Sequence, residues 1–347
     1  MSVNRSVVVY GINNFRVEKR ERPEPGFGEV LVKIEYSGLC PSDIKIIRHG
    51  GRLVRYPVVL GHEMAGIVEE VGEGVKGIEV GERVNVAADI YCGTCKYCRA
   101  GRENLCERPL TFGYNIDGGH ADYLLVPREG VPKAIFKVPD GLSLEVASMT
   151  EPVACVVHSM NAGKVSPGDS VAIVGEGPMG LLHVLLAKIY GAGSIAVLGL
   201  VDKKLKLAEE LGAEKLYNRK NYPNIEDILR ENPDGFDKVF LTVVNKTTLE
   251  ESLKLVKKGG RVVIFAGVPA HSVSFSLDPN IIHYDEVSLV GSSSYLYVEY
   301  AKALKFVSMY QRELSKIISH RFNIDEFEKA VATWDDKENS VKIILTR

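Results

Sequence analysis

Hydrophobic positions in the first part of the chain come in short runs that are rich in valine and isoleucine and are separated by glycine and proline. The runs EVLVKIEY, AGIVEEVG and ERVNVAA are of this kind. Short β-branched runs bounded by turn residues are typical of strands. The pattern therefore predicts a β-rich, barrel-like domain over residues 1–149.

The pattern changes near Thr150, where apolar runs begin to alternate with segments of helical period. VAIVG precedes PMGLLHVLLAKIYGA and SIAVLGL precedes KKLKLAEELGA, and the alternation continues with FDKVFLTVV, the helical TTLEESLKLVKKGG, RVVIFAG and VSLVGS. Strands that alternate with helices predict βαβ units on a parallel sheet. We place this second domain at residues 150–291.

The last segment carries a helical stretch, VEYAKALKFVSMYQ, followed by HRFNIDEFEKAVATW and the strand-like VKIILTR. We expect residues 292–347 to return to the first domain. The predicted fold class is α/β, with a parallel-sheet domain beside a β-rich one. A length of 347 residues agrees with this division, because single hydrophobic cores stop growing at roughly 250–300 residues.

Composition and charge narrow the function. The chain is 45% hydrophobic and 25% charged, and its net charge of −2 gives no basic surface for nucleic acid. No stretch approaches the ~18–20 apolar residues of a membrane span, and the start MSVNRSVVVYG has no signal-peptide core. We therefore expect a cytoplasmic protein that acts on a small molecule.

Four of the six cysteines lie in the string CGTCKYCRAGRENLC, within a predicted lobe at residues 88–107. In a reducing compartment, such a cluster favours metal binding over disulfides. The spacing C-x2-C-x2-C-x7-C lets four thiolates converge on one zinc ion and leaves no open position, which indicates a structural site. An iron–sulfur run would need three residues before its last cysteine and a proline after it, whereas a nucleic-acid zinc ribbon or four unrelated cysteines are weaker alternatives. The predicted ligands are Cys92, Cys95, Cys98 and Cys106.

A second candidate metal group combines Cys40 in GLCPSD with His62 and Glu63 in LGHEMAG. Three protein ligands leave a coordination position open, as a catalytic zinc requires. Taken singly, each residue is ambiguous, because a lone cysteine or histidine is more often a structural residue of the core. Glu151 in TEPVAC is either a further ligand or only an acid at a helix N-terminus beside Pro152.

The string VAIVGEGPMG places a G-x-G-x-x-G motif directly after a strand and before a helix. In that context the glycines permit a tight turn, a close approach of backbone to pyrophosphate and close helix packing. The phosphate would lie at the helix N-terminus, although a glycine-rich loop without a ligand is the alternative. The predicted cofactor-binding residues are Gly175, Gly177, Pro178, Met179 and Gly180, together with Val268 after RVVIFAG.

The residue at the end of the second strand bears on the choice of cofactor. An acid about 20 residues after the loop would bind the ribose 2′-hydroxyl of NAD, but in SIAVLGLVDKK that position falls on Gly199. Lys203 and Lys204 could pair with a 2′-phosphate, or they could be solvated residues of a helix start. Asp202 either caps that helix or, if the strand ends later, is the ribose acid. On balance the sequence favours NADP over NAD.

Together, the motifs resemble the zinc-containing medium-chain dehydrogenase/reductase family over essentially the whole chain, and the polyol (sorbitol) dehydrogenase-like branch in particular. The strings that carry the resemblance are GLCPSD, GHEMAG, CGTCKYCRAGRENLC, GGHADYLLVP, TEPVACVVH and VGEGPMG, in the family's order. The resemblance implies a GroES-like catalytic domain at both chain ends, a Rossmann domain between them and an active site in the cleft. It also implies a catalytic zinc at Cys40, His62 and Glu63, with Glu151 binding directly or through water, and a structural zinc at the four cysteines.

The family's hydroxyl two residues after the ligand cysteine is Ser42, which the resemblance assigns as a carrier of the alcohol proton. Its alternative role is a turn-forming serine. The primary-alcohol and threonine branches carry a histidine where this chain has Lys45, which weakens both assignments. His49 matches a histidine of the polyol branch and is a candidate relay or substrate contact, and Pro41 replaces a usual glycine without a consequence for specificity that we can assign.

The working hypothesis is a zinc-dependent oxidoreductase that transfers a hydride between a secondary alcohol, from a polyol or a sugar, and NAD(P). The alternatives are a threonine or simple secondary-alcohol dehydrogenase, and a non-catalytic redox sensor that binds zinc and dinucleotide. Tyr114, Asp117 and Tyr295 are candidates for the substrate pocket. By analogy with the family, we expect a homo-tetramer.

Overall fold

The computed structural model describes residues 3–51, 53–268 and 274–347. The strands are β1 (Val3–Gly11), β2 (Asn14–Glu21), β3 (Val30–Leu39), β4 (Val58–Val59), β5 (Glu63–Val71), β6 (Arg83–Val86), β7 (Asp89–Ile90), β8 (Leu110–Thr111), β9 (Tyr123–Val126), β10 (Ile135–Lys137), β11 (Ser170–Val174), β12 (Ser194–Gly199), β13 (Lys215–Asn218), β14 (Phe236–Leu241), β15 (Val256–Ile264), β16 (Ser288–Gly291), β17 (Ile318–Asn323) and β18 (Lys342–Thr346).

The α-helices are α1 (Pro41–His49), α2 (Lys96–Arg99), α3 (Leu144–Ala147), α4 (Thr150–Gly163), α5 (Pro178–Ile189), α6 (Asp202–Leu211), α7 (Ile225–Glu231), α8 (Lys246–Leu255), α9 (Pro279–His283), α10 (Tyr297–Met309), α11 (Gln311–Ile317) and α12 (Phe327–Trp334). Short 3₁₀ turns occur at Glu103–Leu105 and Ile324–Glu326. Among the described residues, no helix is both long and apolar enough to cross a membrane.

The chain divides into two compact units. The first unit comprises Met1–Ala154, Tyr295–Asp336 and Ser340–Arg347, and the second comprises Cys155–Ser294 and Lys337–Asn339. The divisions after Ala154 and Ser294 fall slightly later than the predicted domain boundaries at residues 149 and 291. Helix α4 runs continuously through the first of these divisions.

The first unit is built mainly from antiparallel strands. One sheet has the order β10-β6-β5-β3-β18-β17, with β9 also pairing with β3, and a smaller sheet has the order β2-β1-β4. The predicted strand runs EVLVKIEY, AGIVEEVG and ERVNVAA lie in β3, β5 and β6. In β3 the residues Val30, Leu31, Val32 and Ile34 are fully buried, so this strand lies in the core of the sheet.

Helix α1 is fixed at both ends. Cys40 is the N-cap and Pro41 the first helical residue, a position that proline favours because it needs no hydrogen-bonding N–H there. The Asp43 carboxylate accepts a hydrogen bond of 2.9 Å from the Cys40 N–H. At the other end Gly50, at φ 73°, donates its N–H to Ile46. The buried isoleucines of this helix pack into the core cluster with residues of β1 and β18, so the helix N-terminus is held against the sheet.

The second unit is a parallel sheet with the strand order β13-β12-β11-β14-β15-β16. Every pairing in it is parallel, and counting from β11 the order is 3-2-1-4-5-6, that of the Rossmann fold. β11 is a continuous apolar run, as expected for a strand covered on both faces. The predicted α/β class, with a Rossmann-type sheet and a β-rich GroES-like part, is confirmed.

One segment differs from its predicted structure. The helix predicted over TTLEESLKLVKKGG ends at Leu255, and β15 begins at Val256 because that residue pairs with Phe236 of β14. Here strand pairing overrides the local helical pattern. Near the end of the chain, HRFN belongs to β17, which pairs in parallel with β18, and helix α12 begins at Phe327.

Candidate metal centres and dinucleotide loop

The four predicted structural ligands, Cys92, Cys95, Cys98 and Cys106, lie together, with their sulfur atoms all within 4.8 Å of one another. None of them forms a disulfide. Cys98 Sγ lies 3.5 Å from Cys95 Sγ and 3.9 Å from Cys92 Sγ. Because four soft thiols converge without a carboxylate or an imidazole among them, this donor set fits a tetrahedral zinc ion.

Backbone amides hold these sulfurs in place. The Cys95 N–H donates to Cys92 Sγ at 3.4 Å, and Cys106 Sγ accepts from the N–H groups of Cys92, at 3.3 Å, and Arg108, at 3.4 Å. Hydrogen bonds from the Thr94 and Cys95 backbone lower the pKa of Cys92 to about 5, so it is a thiolate at neutral pH. Burial raises the pKa of Cys98 to about 12. The loop thus supplies both the geometry and part of the charge that a zinc ion needs.

The second group brings together Cys40, His62 and Glu63, with one donor atom of each within 4.8 Å of the others. Strand pairing explains the arrangement. β3 and β5 are antiparallel, and Gly38 near the end of β3 faces Glu63 at the start of β5. The chain leaves β3 directly into Cys40, so the thiol arrives beside His62, which directly precedes β5, and Glu63, its first residue. A thiolate, an imidazole and a carboxylate fit a zinc ion with an open position.

His62 is oriented by its neighbours. Its Nδ1 atom lies 3.4 Å from the buried Asp43 carboxylate, and its Nε2 atom lies 3.2 Å from Ser42 Oγ. A carboxylate behind one ring nitrogen is the usual way to leave the other nitrogen free for a metal. Asp43 is fully buried, and its second oxygen also lies 3.5 Å from His120 Nε2. Asp43 therefore links two histidines and the N-terminus of α1.

The electrostatics of this group favour a positive charge. Burial raises the pKa of Asp43, but His62 and His120 outweigh that effect and hold it well below its ordinary range. For His62, burial lowers the pKa, yet the nearby Asp43 and Cys40 raise it to well above its usual value. Surroundings that stabilise a cation on His62 would also stabilise a metal ion there.

Glu63 has a buried cationic partner. The Lys342 ammonium donates to the Glu63 carboxylate and, at 3.2 Å, to the Leu39 carbonyl. Burial lowers the pKa of Lys342, but the charge of Glu63 outweighs it and the net shift is upward. A Cβ atom on Gly38 would lie only 2.0 Å from a Glu63 carboxylate oxygen. Glycine at position 38 therefore provides the room for this ion pair.

His120 connects the group of Cys40, His62 and Glu63 to residues that lie further from the donor atoms. Its Nδ1 atom lies 2.9 Å from Ser37 Oγ, which in turn accepts a hydrogen bond of 3.0 Å from Arg347. Burial lowers the pKa of His120, against the opposing effect of Asp43. The imidazole is therefore neutral near pH 7 and can donate one hydrogen bond and accept another.

The other predicted residues of the site lie at varying distances from it. Glu151 is the second residue of α4 and is largely buried, but it is outside the set of donors within 4.8 Å. His49 is exposed at the far end of α1 from Cys40, roughly 13 Å away along a nine-residue helix. The structure does not bring His49 to the metal group, and its predicted relay role stays a prediction.

The three candidates for the substrate pocket differ in their surroundings. The Tyr114 ring lies 5.7 Å from that of His62, and burial raises the pKa of this tyrosine to about 12. Asp117 forms an ion pair of 2.8 Å with Arg20 and accepts from the Val59 N–H. Tyr295 is fully buried, with its hydroxyl accepting from the Asp89 N–H at 3.2 Å. Of the three, Tyr114 alone contacts the ring of a proposed ligand in the described structure.

The glycine loop has the shape that a pyrophosphate requires. Gly175 has φ 111°, a conformation that other residues rarely adopt. A Cβ atom on Gly180 would lie 1.8 Å from the Gly175 carbonyl, whereas one on Gly177 would meet no described atom within 4 Å. Gly177 is the N-cap of α5 and Pro178 its first residue, with Met179 following. The open space over Gly177, at a helix N-terminus, fits a dinucleotide phosphate.

The residues beyond β12 are mostly engaged with the protein. Lys203 donates to Asn339 at 2.9 Å, and Lys204 is buried. Asp202 is the first residue of α6 rather than its N-cap, and its carboxylate accepts from Asn218 at 2.6 Å. Gly199 ends β12, and Val268 is partly exposed beyond β15. Neither lysine is placed as a free cation beside the strand end.

Several residues around these sites were not predicted. Asp43 lies three residues after Cys40, a spacing typical of a capping acid, so local sequence could have indicated it. His120 lies within the GGHADYLLVP string but has no local signal for its role. Lys342 comes from a strand near the end of the chain, and Glu176 is a variable position of the glycine motif. Only the three-dimensional structure brings these last three into view.

Comparisons with known proteins agree with the fold. The family model "alcohol dehydrogenase GroES-like domain" matches residues 26–140, and "zinc-binding dehydrogenase" matches residues 178–309. A sorbitol dehydrogenase of Halalkalibacterium halodurans is 31% identical, with 97% of each chain covered.

Two solved structures resemble the whole chain. A zinc-binding dehydrogenase of Sinorhizobium meliloti bound to NADP has a TM-score of 0.93 and 33% identity over 100% of both chains. An alcohol dehydrogenase of Escherichia coli complexed with NADH has a TM-score of 0.90 and 28% identity, again over 100% of both.

A Rossmann sheet with a phosphate-binding loop, joined in one chain to a GroES-like unit with metal ligands, defines a zinc- and nicotinamide-dependent dehydrogenase. The chain belongs to the zinc-binding alcohol dehydrogenase family. It is thus an oxidoreductase whose cofactors are zinc and a nicotinamide dinucleotide, as the sequence predicts.

Proposed function

We propose that this dehydrogenase oxidises a secondary alcohol of a polyol or of a related sugar, with its catalytic centre at Cys40, His62 and Glu63. The observation that carries the proposal is the convergence of these three donors beside the Ser42 hydroxyl. The group has one thiolate, one imidazole and one carboxylate, and Asp43 and Lys342 hold the last two. Three protein ligands leave one coordination position for a substrate oxygen.

We also propose two zinc ions per chain, with the second at the four cysteines. The two donor sets differ in chemistry. The cysteine loop offers four thiols and no open position, so an ion there would stabilise the loop. Zinc at the second group would act as a Lewis acid toward the alcohol, while the nicotinamide would accept the hydride.

The residues around the catalytic group have distinct tasks. Ser42 Oγ, 3.2 Å from His62 Nε2, is placed to take the proton that the alcohol loses. The Tyr114 ring lies 5.7 Å from that of His62, and burial raises the pKa of Tyr114 to about 12, so its hydroxyl stays protonated at neutral pH. Asp43 fixes the His62 ring, and Lys342 fixes the Glu63 carboxylate. Glu151, buried near the start of α4, is a candidate for a further ligand, directly or through water.

One observation supports a polyol rather than threonine or a primary alcohol. At the position where those branches carry a relay histidine, this chain has Lys45, which is exposed on α1. The relatives do not separate the substrates, since a sorbitol dehydrogenase is 31% identical over 97% of this chain and an L-threonine 3-dehydrogenase is 34% identical over 89% of it. A homo-tetramer and a cytoplasmic location remain predictions from the sequence and the family.

The cofactor preference depends on the residues at the end of β12. The sequence favours NADP because Gly199 carries no acid and because Lys203 and Lys204 follow it. The side chains weaken the second reason, since Lys204 is buried and Lys203 is bonded to Asn339. The two solved neighbours hold NADP and NADH respectively, so they favour neither cofactor.

The test is a turnover assay across sorbitol, xylitol, galactitol, threonine and butanediol, each with NAD and with NADP. We expect the highest kcat/KM with a polyol. A clear preference for threonine would contradict the polyol assignment, and butanediol as the best substrate would make the protein a simple secondary-alcohol dehydrogenase. Absence of turnover with every alcohol, in protein that binds both zinc and NADH, would instead favour the non-catalytic sensor.

A further inference from the structure

The side chain of Glu176 reaches across to the end of strand β12. Glu176 is the residue between Gly175 and Gly177 in the glycine motif, on the loop that follows β11. Its Oε1 atom accepts hydrogen bonds from the backbone N–H groups of Leu200, at 3.0 Å, and Val201, at 3.1 Å. These are the first residues after β12, so the loop places a carboxylate at the strand end.

The carboxylate occupies the space of a missing side chain. A Cβ atom built on Gly199 would lie 2.8 Å from both the Glu176 carboxyl carbon and its Oε2 atom. An aspartate or glutamate at position 199 would extend its own carboxyl group by about one or two bond lengths from that Cβ. The Glu176 carboxyl group therefore lies close to where the acid of a strand-end residue would lie.

In dinucleotide-binding sheets, an acid at the end of the second strand accepts a hydrogen bond from the adenosine ribose 2′-hydroxyl and repels a 2′-phosphate. We propose that Glu176 supplies this carboxylate from the loop, so that the enzyme prefers NAD over NADP. This inference rests on the proposed function only for the identity of the cofactor class, and it replaces the NADP preference that the absence of an acid at Gly199 suggested.

The charged groups nearby agree with this assignment. Oε1 is held by two backbone donors, which leaves Oε2 to accept from a ribose hydroxyl. The cations that could compete for a 2′-phosphate have other partners, since Lys203 bonds to Asn339 and Arg219 pairs with Glu251 at 2.6 Å. The rival acid, Asp202, accepts from Asn218. Glu176 is thus the acid that the described contacts place at Gly199.

The experiment measures binding of NADH and NADPH to the zinc-loaded, full-length protein by nucleotide fluorescence, without an alcohol. For the wild type we expect NADH to bind at least tenfold more tightly. Glu176→Gln loses a hydrogen bond to a charged group and removes a charge that repels a 2′-phosphate. It should therefore reduce the ratio of the NADPH dissociation constant to the NADH dissociation constant by roughly tenfold or more. Asp202→Asn is the matched control, and it should leave the ratio unchanged.

A relocation variant separates recognition from a purely structural role. Gly199→Asp alone would crowd Glu176, but in the Glu176→Ala background the new aspartate has the vacated space. We expect Glu176→Ala to lose the preference for NADH and the double variant Glu176→Ala/Gly199→Asp to regain it. Recovery would show that the carboxylate, and not the loop conformation alone, selects the cofactor.

Three outcomes would overturn the inference. The wild type could bind NADPH more tightly than NADH. Glu176→Gln could lower the melting temperature of the protein but leave the ratio of dissociation constants unchanged, or Asp202→Asn could change that ratio instead. Binding is measured without turnover, so the two proposals fail separately. A protein that discriminates NADH as expected but oxidises no alcohol would contradict the proposed function and leave the role of Glu176 intact.

Discussion

The two donor groups of the first unit collect metal ligands in opposite ways. The four cysteines come from one short loop, and neighbouring backbone N–H groups hold their sulfurs. Cys40, His62 and Glu63 come from two separate segments of the chain, and two side chains hold them in place: Asp43 from the start of α1 and Lys342 from the distant strand β18.

This difference separates a structural role from a chemical one. A loop in which four thiols face one point, with no other kind of donor among them, has no position for a substrate. A group of three unlike donors supported from behind keeps one side open while its ligands remain oriented.

The largest expected effect is that one cysteine variant loses activity and another loses stability. Cys40→Ser should reduce kcat with a polyol by more than the ~10²–10⁴-fold that loss of a proton carrier costs, and leave the melting temperature nearly unchanged. Cys98→Ser should lower the melting temperature by about 5–10 °C, which corresponds to a loss of about 2.5 kcal/mol at roughly 2–4 °C per kcal/mol for this domain size. Its folded fraction should retain turnover.

Calorimetry and steady-state kinetics on the same samples provide the measurements. Cys155→Ser is the control, since this thiol lies outside both donor groups. If Cys98→Ser lost turnover while fully folded, or if Cys40→Ser unfolded the protein, the comparison between the two groups would be wrong.

The next effect concerns the proton. Ser42→Ala should lower kcat by about 10²–10⁴-fold, because the hydroxyl next to His62 is the proposed proton carrier. Zinc content should not change. Ser42→Thr keeps a hydroxyl and should recover much of the activity. Full activity of the alanine variant at neutral pH would exclude this route.

A smaller effect is expected from the layer behind the ligands. His120→Asn should weaken zinc binding at the Cys40 group by roughly 10–100-fold, because His120 positions Asp43 and Asp43 positions His62. Competition with a chromophoric chelator measures this affinity directly. His320→Asn changes a histidine of the same unit away from the site and serves as the control. Equal affinities in the two variants would show that His120 has only a packing role.

The smallest effect is expected at His49. This residue is exposed at the end of α1 opposite to Cys40. His49→Ala should therefore change kcat/KM by no more than about twofold, the range of an ordinary surface substitution. A loss of tenfold or more would support the relay or substrate contact that the sequence suggested and would extend the site along the whole helix.

The same contrast explains what the sequence could predict. The cysteine loop and the glycine loop are local, so the spacing of their residues nearly determines their geometry. Cys40, His62 and Glu63 were found only through the resemblance to a family, because their proximity depends on the pairing of Gly38 with Glu63. The alternation of strands and helices predicted the Rossmann sheet for a similarly local reason.

Two of the supporting residues, Lys342 and His120, could not be predicted, for a physical reason. Lys342 lies far along the chain from Glu63 and meets it only because β18 pairs with β3. His120 meets Asp43 through a similar tertiary contact. The NADP preference drawn from Gly199 depends on the same kind of local information, since the sequence shows the missing acid but not the Glu176 carboxyl group beside it.

The central claim is that the two donor groups bind one zinc ion each and do different work. The most direct test is zinc content by mass spectrometry in the wild type, Cys40→Ser and Cys98→Ser, with turnover recorded on the same samples. We expect two zinc ions per chain in the wild type and one in each variant, with turnover lost only in Cys40→Ser. One zinc ion in the wild type, or two in active Cys40→Ser protein, would contradict the account.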